Sequence, residues 1–479
     1  MKSAQTEDTL KENIATVHEL LAQRNIEKNE EATKPSPSQK HWLELQAILK
    51  PLHIGDIAHI LEVLPLDDRL TVWQQVNIFR RGDVLLEVSD AVRENLIQSI
   101  SEEDLLAALN LMDADDLAYI ADDIPEDLLK IRQETLTTED KNWLRRAMSY
   151  EEDSVGFLMS NEMVVIYDTE TLEDAAKALR GLEELPIHND TLFVVDRRGI
   201  LRGILSLQNI LLNDPNLPVH NIMETDVVYF SPQDDAGEAS QAFERYDLVS
   251  APVISDRGKL VGRLTVDVVM DYIRDEATED VLNMAGISAE EDLFAPILKS
   301  ARNRALWLFF NLGAAFFISR IIGFFEATIT QLVSLAVLMP IVASVGGNIG
   351  NQTAAIIIRG MTLGQINDEN TAYLMRKELG VSALNGLIIG SIVGIFSFIL
   401  YENLALSIVI SVAMLLTLIL AALLGLLVPI FLHRIGRDPA LGSSVIMTAT
   451  IDSVGFFIFL GKCPIWIKYE NFYCQTTHF

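Results

Sequence analysis

A chain of 479 residues has room for roughly three domains, and its charge is divided unevenly along its length. Residues 300–479 hold 10 Lys+Arg and 8 Asp+Glu, which leaves 27 basic and 59 acidic residues in 1–299, a net of −32 against a total of −30. That excess argues against a nucleic-acid partner, whose phosphates would be repelled, and suits cations; two cysteines, Cys463 and Cys474, imply no disulfide framework.

Residues 1–40 are polar, open on no signal peptide and carry Pro35-Ser36-Pro37-Ser38, so they read as a flexible lead-in. Across 41–150 apolar residues recur at helical spacing in Leu43–Leu49, Ile54–Leu64, Leu85–Leu96 and Leu105–Ile120. Acidic punctuation separates them at Asp67-Asp68, Ser101-Glu102-Glu103-Asp104 and Asp113-Ala114-Asp115-Asp116. Carboxylates suit helix N-termini, so these acids read first as caps on a small helical solenoid.

An internal duplication follows. Asp196-Arg197-Arg198-Gly199 to Gly203 and Ser206 returns as Asp256-Arg257-Gly258 to Gly262 and Thr265, an offset of 59 residues at both glycines and at the terminal hydroxyl residue. Each copy has a short strand (Val164–Tyr167, Val227–Phe230), a helix (Leu172–Leu182, Ala236–Tyr246) and a strand before the turn (Leu192–Val195, Ala251–Ile254). Two such βαββα units, spanning 155–220 and 221–275, resemble a CBS-domain pair. An acidic connecting helix is expected over 276–303.

From 304 to 462 the chain is apolar. Trp307–Phe325, Ile329–Val345, Val381–Tyr401, Leu404–Leu432 and Leu441–Leu460 are five stretches near or above bilayer-crossing length. Arg302, Arg304, Arg359, Arg376, Lys377, Arg434 and Arg437 lie on one side of them, which puts the N-terminus in the cytoplasm and the C-terminus outside. Residues 463–479 read as a tail. The fold class is thus multidomain: an all-α superhelical N-domain, an α/β tandem pair and a bundle of five transmembrane helices.

Two places in that bundle carry chemistry. The second span ends in Pro340, then Gly346-Gly347-Asn348-Ile349-Gly350-Asn351-Gln352-Thr353, whose amides need partners that lipid cannot offer. Glycines there would free carbonyls for an ion or, as Gly346 and Gly350, form a packing pair, the role also expected of Gly386, Gly390 and Gly394. In the fifth span Asp452 is a mid-membrane carboxylate, costly unless it faces water or a cation, with Arg320 as a possible ion-pair partner. Thr448, Asp452 and Gly455 share one helix face. One carboxylate among neutral oxygens suits Mg²⁺, which keeps its waters; neither Cys nor His lies in these spans before Cys463 to favour a soft metal. Asp438, before Pro439, reads as a helix cap.

The order of these parts, with Pro…Gly-Gly-Asn-x-Gly-Asn-Gln and Asp-Pro-Ala…Asp-x-x-Gly, resembles the MgtE family of magnesium transporters. The resemblance covers residues 41–460. It implies a channel-like homodimer in the plasma membrane, lined by the second and fifth spans. The pore aspartate would be Asp452, flanked by Thr448 and Gly455, with the amides Asn348, Asn351 and Gln352 nearby. It implies gating by cytoplasmic Mg²⁺, with Asp271, Asp275, Glu276, Glu279, Asp280, Asp235 and Asp247 as sensor residues; Asp113, Asp115 and Asp116 join them as acidic candidates. Where the family has two aspartates this chain has Asp267 and Val268, which removes one carboxylate and leaves ATP binding to the CBS pair open. An enzyme is disfavoured: His18-Glu19 lacks the second His of a zinc protease motif, and no phosphate-binding loop of the ATPase type occurs. The rival readings are a CBS-regulated chloride channel, a transporter of Co²⁺ or Mn²⁺, and a membrane-anchored Mg²⁺ sensor.

Overall fold

The computed structural model describes residues 3–30, 39–182, 185–287, 292–367, 369–440 and 443–476, and it divides into two units. One comprises Met1–Ile273 with Glu290–Ile297; the other comprises Arg274–Ala289 with Leu298–Phe479.

The N-terminal unit opens on helices α1 (Ser3–Glu30), α2 (Gln39–Leu49), α3 (Ile54–Glu62), α4 (Leu66–Trp73) and α5 (Ile78–Glu87). It continues with α6 (Asp90–Ser99), α7 (Glu102–Leu109), α8 (Ala114–Tyr119), α9 (Glu126–Thr135) and α10 (Thr138–Ala147). The lead-in expected to be flexible is therefore helical up to Glu30. Leu10, Ile14, Val17 and Leu21 form an apolar stripe that joins the core, a pattern its polar average conceals. Alternate helices pack in succession, α3 on α5, α5 on α7, α7 on α9, and α4 on α6, as a solenoid does.

Caps set the helix starts: Ser101 accepts from the Asp104 amide at 3.2 Å, and Thr137 from the Asp140 amide at 3.2 Å. A ladder of arginines at 12-residue spacing staples the turns. Arg69, Arg81 and Arg93 each donate Nε to a carbonyl a few residues earlier, that of Leu61, Val76 and Leu85. Arg69 alone in this ladder reaches far along the sequence, binding Asp292 through both terminal nitrogens at 2.6 and 3.1 Å with both side chains buried. Asp292 lies five residues before Ile297, where the first membrane helix begins.

The duplicated region holds α11 (Val155–Leu158), β1 (Val165–Tyr167), α12 (Leu172–Arg180), β2 (Thr191–Val195), β3 (Leu201–Ser206) and α13 (Leu207–Leu212). Its second half holds α14 (Ala236–Tyr246), β4 (Ser250–Ile254) and β5 (Leu260–Thr265). The first half is a three-stranded sheet, β1 parallel and β3 antiparallel to β2; the second pairs β4 with β5. The strand expected at Val227–Phe230 shrinks to one parallel bridge, Phe230 to Val253. Pro252 explains it, because the next rung would need the N–H that proline lacks. The halves also meet by their repeat: Leu201 N donates to Gly258 O and Leu260 N to Gly199 O, both at 3.0 Å. Gly199 and Gly258 hold φ of 77° and 72°, the left-handed turn conformation glycine tolerates.

α15 (Val266–Met284) leads out of this region. It starts ten residues earlier than the expected connecting helix and ends at Gly286, whose φ of 70° and the Ile287 N to Leu282 O bond close it. The membrane unit then contains α16 (Ile297–Phe324), α17 (Glu326–Gln331), α18 (Ser334–Thr362), α19 (Thr371–Tyr401), α20 (Leu404–Arg434) and α21 (Ser443–Thr476). Among the described residues five helices are long and apolar enough to cross a membrane, the fifth being Ser444–Gly461 of α21. Residues 462–476 extend α21 rather than forming a separate tail.

Candidate functional site

The amide-rich stretch of the second span does not break the helix. α18 runs unbroken through Pro340 and residues 346–353, so the expected end of that span lies in its middle. Its glycines are there for close packing. A Cβ on Gly346 would sit 2.9 Å from Thr417 Cγ2 and 3.0 Å from Ile451 Cγ2, and a Cβ on Gly425 would lie 2.6 Å from Gly350 O. α18 and α20 thus cross backbone to backbone, the small-residue geometry of membrane helices. Gly386, Gly390 and Gly394 of α19 meet Leu415, Ser411 and Ser407 of α20 in the same way.

With the glycines turned inward, the amide side chains of α18 lie on its other faces. Ser344, Asn348 and Gln352 form one exposed row at intervals of four, and Asn351 is half-buried. Thr448 of α21 approaches α18 at Gly347, its Cγ2 4.0 Å from the position a Cβ there would take. One turn on, Asp452 is half-buried, and its Oδ1 is buried with no hydrogen-bond partner. Arg320 of α16 is exposed and forms no ion pair with it. No three Asp, Glu, His or Cys side chains among the described residues converge to hold a metal directly. What the site offers a cation is one carboxylate and neutral oxygens, which suits a hard ion that keeps its water.

A second group in the same unit brings α15 together with the turn ahead of α21 and the end of α18. Asn283, buried, donates its amide to Glu279 Oε1 at 3.1 Å and to Asp438 Oδ2 at 2.8 Å. Asp280 accepts from Thr362 Oγ1 at 3.3 Å, and its carboxyl is raised above the ordinary range by burial and then by the charge of Asp438. Asp438 accepts from Ala440 N, two residues on, so it caps a turn ahead of α21 while facing two sensor candidates. Sequence reasoning gave Asp438 the capping role alone; its proximity to residues about 155 positions away left no local signal.

In the N-terminal unit the structure gathers Asp113, Asp115 and Asp116 with Glu162 and Asp83, the last two absent from the sequence-derived set. Asp113 stands at the start of α8 without making the cap bond expected of it. Asp115 takes a hydrogen bond from Ser160, while its Oδ1 is buried and unpartnered. Asp116 is pushed up to about 7, by burial first and then by Asp115, Asp113, Glu162 and Asp83. Glu162 is raised for the same reasons, with Arg263 opposing. The remaining candidates are dispersed. Asp235 caps α14 at its start and Asp247, at φ 50°, ends it, roughly 18 Å away by helix rise, too far to share an ion. Asp271, Asp275 and Glu276 lie along α15, Asp275 beside Arg274 at 3.3 Å.

Five membrane-crossing helices with one mid-span carboxylate, behind a helical domain and a CBS pair, define a membrane protein of the divalent-cation transporter class. The family model described as divalent cation transporter matches residues 339–462, that of the MgtE intracellular N domain matches 52–153, and CBS domains match 154–214 and 219–275. The magnesium transporter MgtE of Bacillus subtilis is 28% identical over 424 residues, covering 88% of this chain and 94% of that protein. That of Thermus thermophilus is 28% identical over 459 residues, covering 90% and 99%. A solved structure, the cytosolic domain of the Mg²⁺ channel MgtE in complex with ATP, is 26% identical, covers 47% of this chain and 93% of that one, and gives a TM-score of 0.42. The chain belongs to the MgtE family of magnesium transporters.

Proposed function

We propose that the chain is a channel-like Mg²⁺ transporter that works as a homodimer, with the ion path passing Asp452 where α18 and α21 of two copies face each other. The observation that carries this is the half-buried mid-span carboxylate of Asp452, whose Oδ1 has no hydrogen-bond partner among the described residues. The exposed row Ser344, Asn348 and Gln352 supports a water-filled or partner-facing surface rather than lipid, because lipid leaves amides unsatisfied. Asn351, Thr448 and Gly455 complete the lining. Mg²⁺ would cross largely hydrated, with the carboxylate answering its charge and the amides ordering its waters.

Cytoplasmic Mg²⁺ closes this path by neutralising crowded carboxylates. The crowding at Asp113, Asp115, Asp116 and Glu162, and at Glu279, Asp280 and Asp438, supports this, since each group raises its neighbours' affinity for any positive charge. Asp235, Asp247, Asp271, Asp275 and Glu276 become ligands only against a second copy. The arginines and lysine flanking the spans support a cytoplasmic N-terminus, an external C-terminus and a plasma-membrane location.

The test is Mg²⁺ uptake into proteoliposomes at low and high Mg²⁺ on the cytoplasmic face. Uptake should fall at high Mg²⁺ and vanish in Asp452→Ala. Uptake by that variant at the parent rate removes the path, and stronger competition by Co²⁺ or Mn²⁺ than by Mg²⁺ itself would reassign the substrate.

A further inference from the structure

Thr417 lies near the middle of α20, 0% exposed, and its Oγ1 has no hydrogen-bond partner. Other hydroxyls of the membrane helices return to the carbonyl one turn earlier: Ser407 to Asn403, Ser411 to Ser407, Thr450 to Ile446 and Ser453 to Ala449. A hydroxyl left unmet in a dry interior is destabilising, and valine, of the same shape, would avoid it. Ser397 is the other such hydroxyl in these helices among the described residues, but it lies on α19, which bears none of the pathway residues.

The position of Thr417 is specific. Its Cγ2 is 2.9 Å from where a Cβ on Gly346 of α18 would stand and 3.1 Å from the corresponding point on Gly455 of α21, with Oγ1 at 3.5 Å from the latter. It is thus wedged between two glycines, one on each helix of the proposed path. Gly455 is one turn from Asp452, and residues so spaced on a helix face lie about 5–6 Å apart. Asp452 has an unmet acceptor on its buried oxygen, and Thr417 an unmet donor inside the same bundle.

We propose that Thr417 is a positioning residue for the Asp452 site. Its hydroxyl donates to the buried carboxylate oxygen of Asp452 when α21 shifts along the glycine contact, leaving the other oxygen aimed at the hydrated cation. A group that orients a metal-facing ligand from behind governs how well that ligand discriminates and releases its ion. This rests on the path at Asp452 proposed above.

The parent and three variants of the full-length protein in proteoliposomes test it, in two pairs that differ chiefly by the hydroxyl: Thr417 against T417V, and T417S against T417A. Asp452→Ala accompanies them, with thermal stability in detergent as the folding control. T417V should melt no lower than the parent yet lose about 10-fold in Mg²⁺ uptake, the size expected when a supporting ligand group is removed. Its preference for Mg²⁺ over Ca²⁺ should narrow, and T417S should recover uptake that T417A lacks. Parental uptake and selectivity in T417V, with Asp452→Ala inactive, overturns the role of Thr417 and leaves the path intact. Equal loss in T417S and T417A makes the methyl group, hence packing, the cause and also overturns it. Should T417V fail to fold, the serine–alanine pair decides alone. Undiminished uptake in Asp452→Ala removes the path itself.

Discussion

In the N-terminal unit Asp113, Asp115, Asp116 and Glu162 crowd around the start of one short helix, whereas the membrane unit keeps a single mid-span carboxylate, Asp452, among amides, hydroxyls and glycines. The crowd raises its own proton affinity, and in the proposed gate the same electrostatics would draw a cation in and make the cluster answer to its concentration. Among the described residues the lone group has no carboxylate cluster to strengthen its hold on an ion, and in the proposed path weak binding would let ions leave as well as enter. This difference predicts unequal sensitivity. Asp452→Asn should abolish uptake, while Asp116→Asn should preserve it and only move the cytoplasmic Mg²⁺ concentration that shuts it off. Parallel flux titrations of the two proteins would expose equal effects, which the contrast does not allow.

Asp292 shows a third arrangement, a buried carboxylate paired with a buried arginine. Arg69 holds it through two hydrogen bonds and also donates to Leu61 O, so the segment that precedes α16 is tied to the helical domain. Arg69→Met would remove both guanidinium bonds from a buried carboxylate, at a cost of about 3–5 kcal/mol. The paired change Arg69→Met with Asp292→Leu should recover most of that loss. Urea unfolding of the three proteins measures it, and equal loss in single and double variants would mean that the ion pair is incidental.

A smaller effect is expected at Asn283. Its amide separates Glu279 from Asp438 while bonding both, so Asn283→Ala removes two charge-assisted bonds and leaves acids facing one another. The loss should be about 1.5–3 kcal/mol in the absence of Mg²⁺, the range for hydrogen bonds to charged groups. Millimolar Mg²⁺ should restore part of it. Thermal melts with and without the ion would read this, and a loss indifferent to Mg²⁺ would assign Asn283 to packing.

Much of this architecture was legible in the sequence because its signals are periodic. The helical stripes of the first domain, the 59-residue repeat and the five apolar stretches each follow from a spacing. Local conflicts were not legible. Glycines and Pro340 read as a break in the second span, yet neighbouring helices supply packing there, and α18 stays whole. The polar lead-in hid the four apolar residues that anchor α1. Asp452 stood out as a charge in apolar surroundings, whereas Glu162 and Asp292 carry no mark in their own neighbourhoods and Asp438 carries only that of a cap. Their significance comes from partners tens or hundreds of positions away, as Asp292 with Arg69 illustrates.

The last effect concerns protons at the crowded acids. Asp116 titrates near 7 in the folded chain, against 3.8 for an ordinary aspartate. Between about pH 4 and pH 7 the folded protein therefore holds a proton that the unfolded chain has released. Its contribution to stability is greatest at the acid end of that window, declines as pH rises, and levels off above 7. Other carboxylates slope the opposite way, among them Asp196 and Asp214, held low by hydrogen bonds to backbone amides. The informative quantity is thus the difference between the parent and Asp116→Asn. That difference should shift in favour of the asparagine protein as pH rises from 4 to 7, because the variant no longer confines a charge among Asp113, Asp115 and Glu162. Added Mg²⁺ should shrink it, since a cation at the cluster favours the ionised form that burial and like charge oppose. Melting curves at several pH values, each with and without Mg²⁺, decide the matter. A difference that ignores Mg²⁺ would leave the crowd as a solvated acidic surface and confine ion recognition to Asp452.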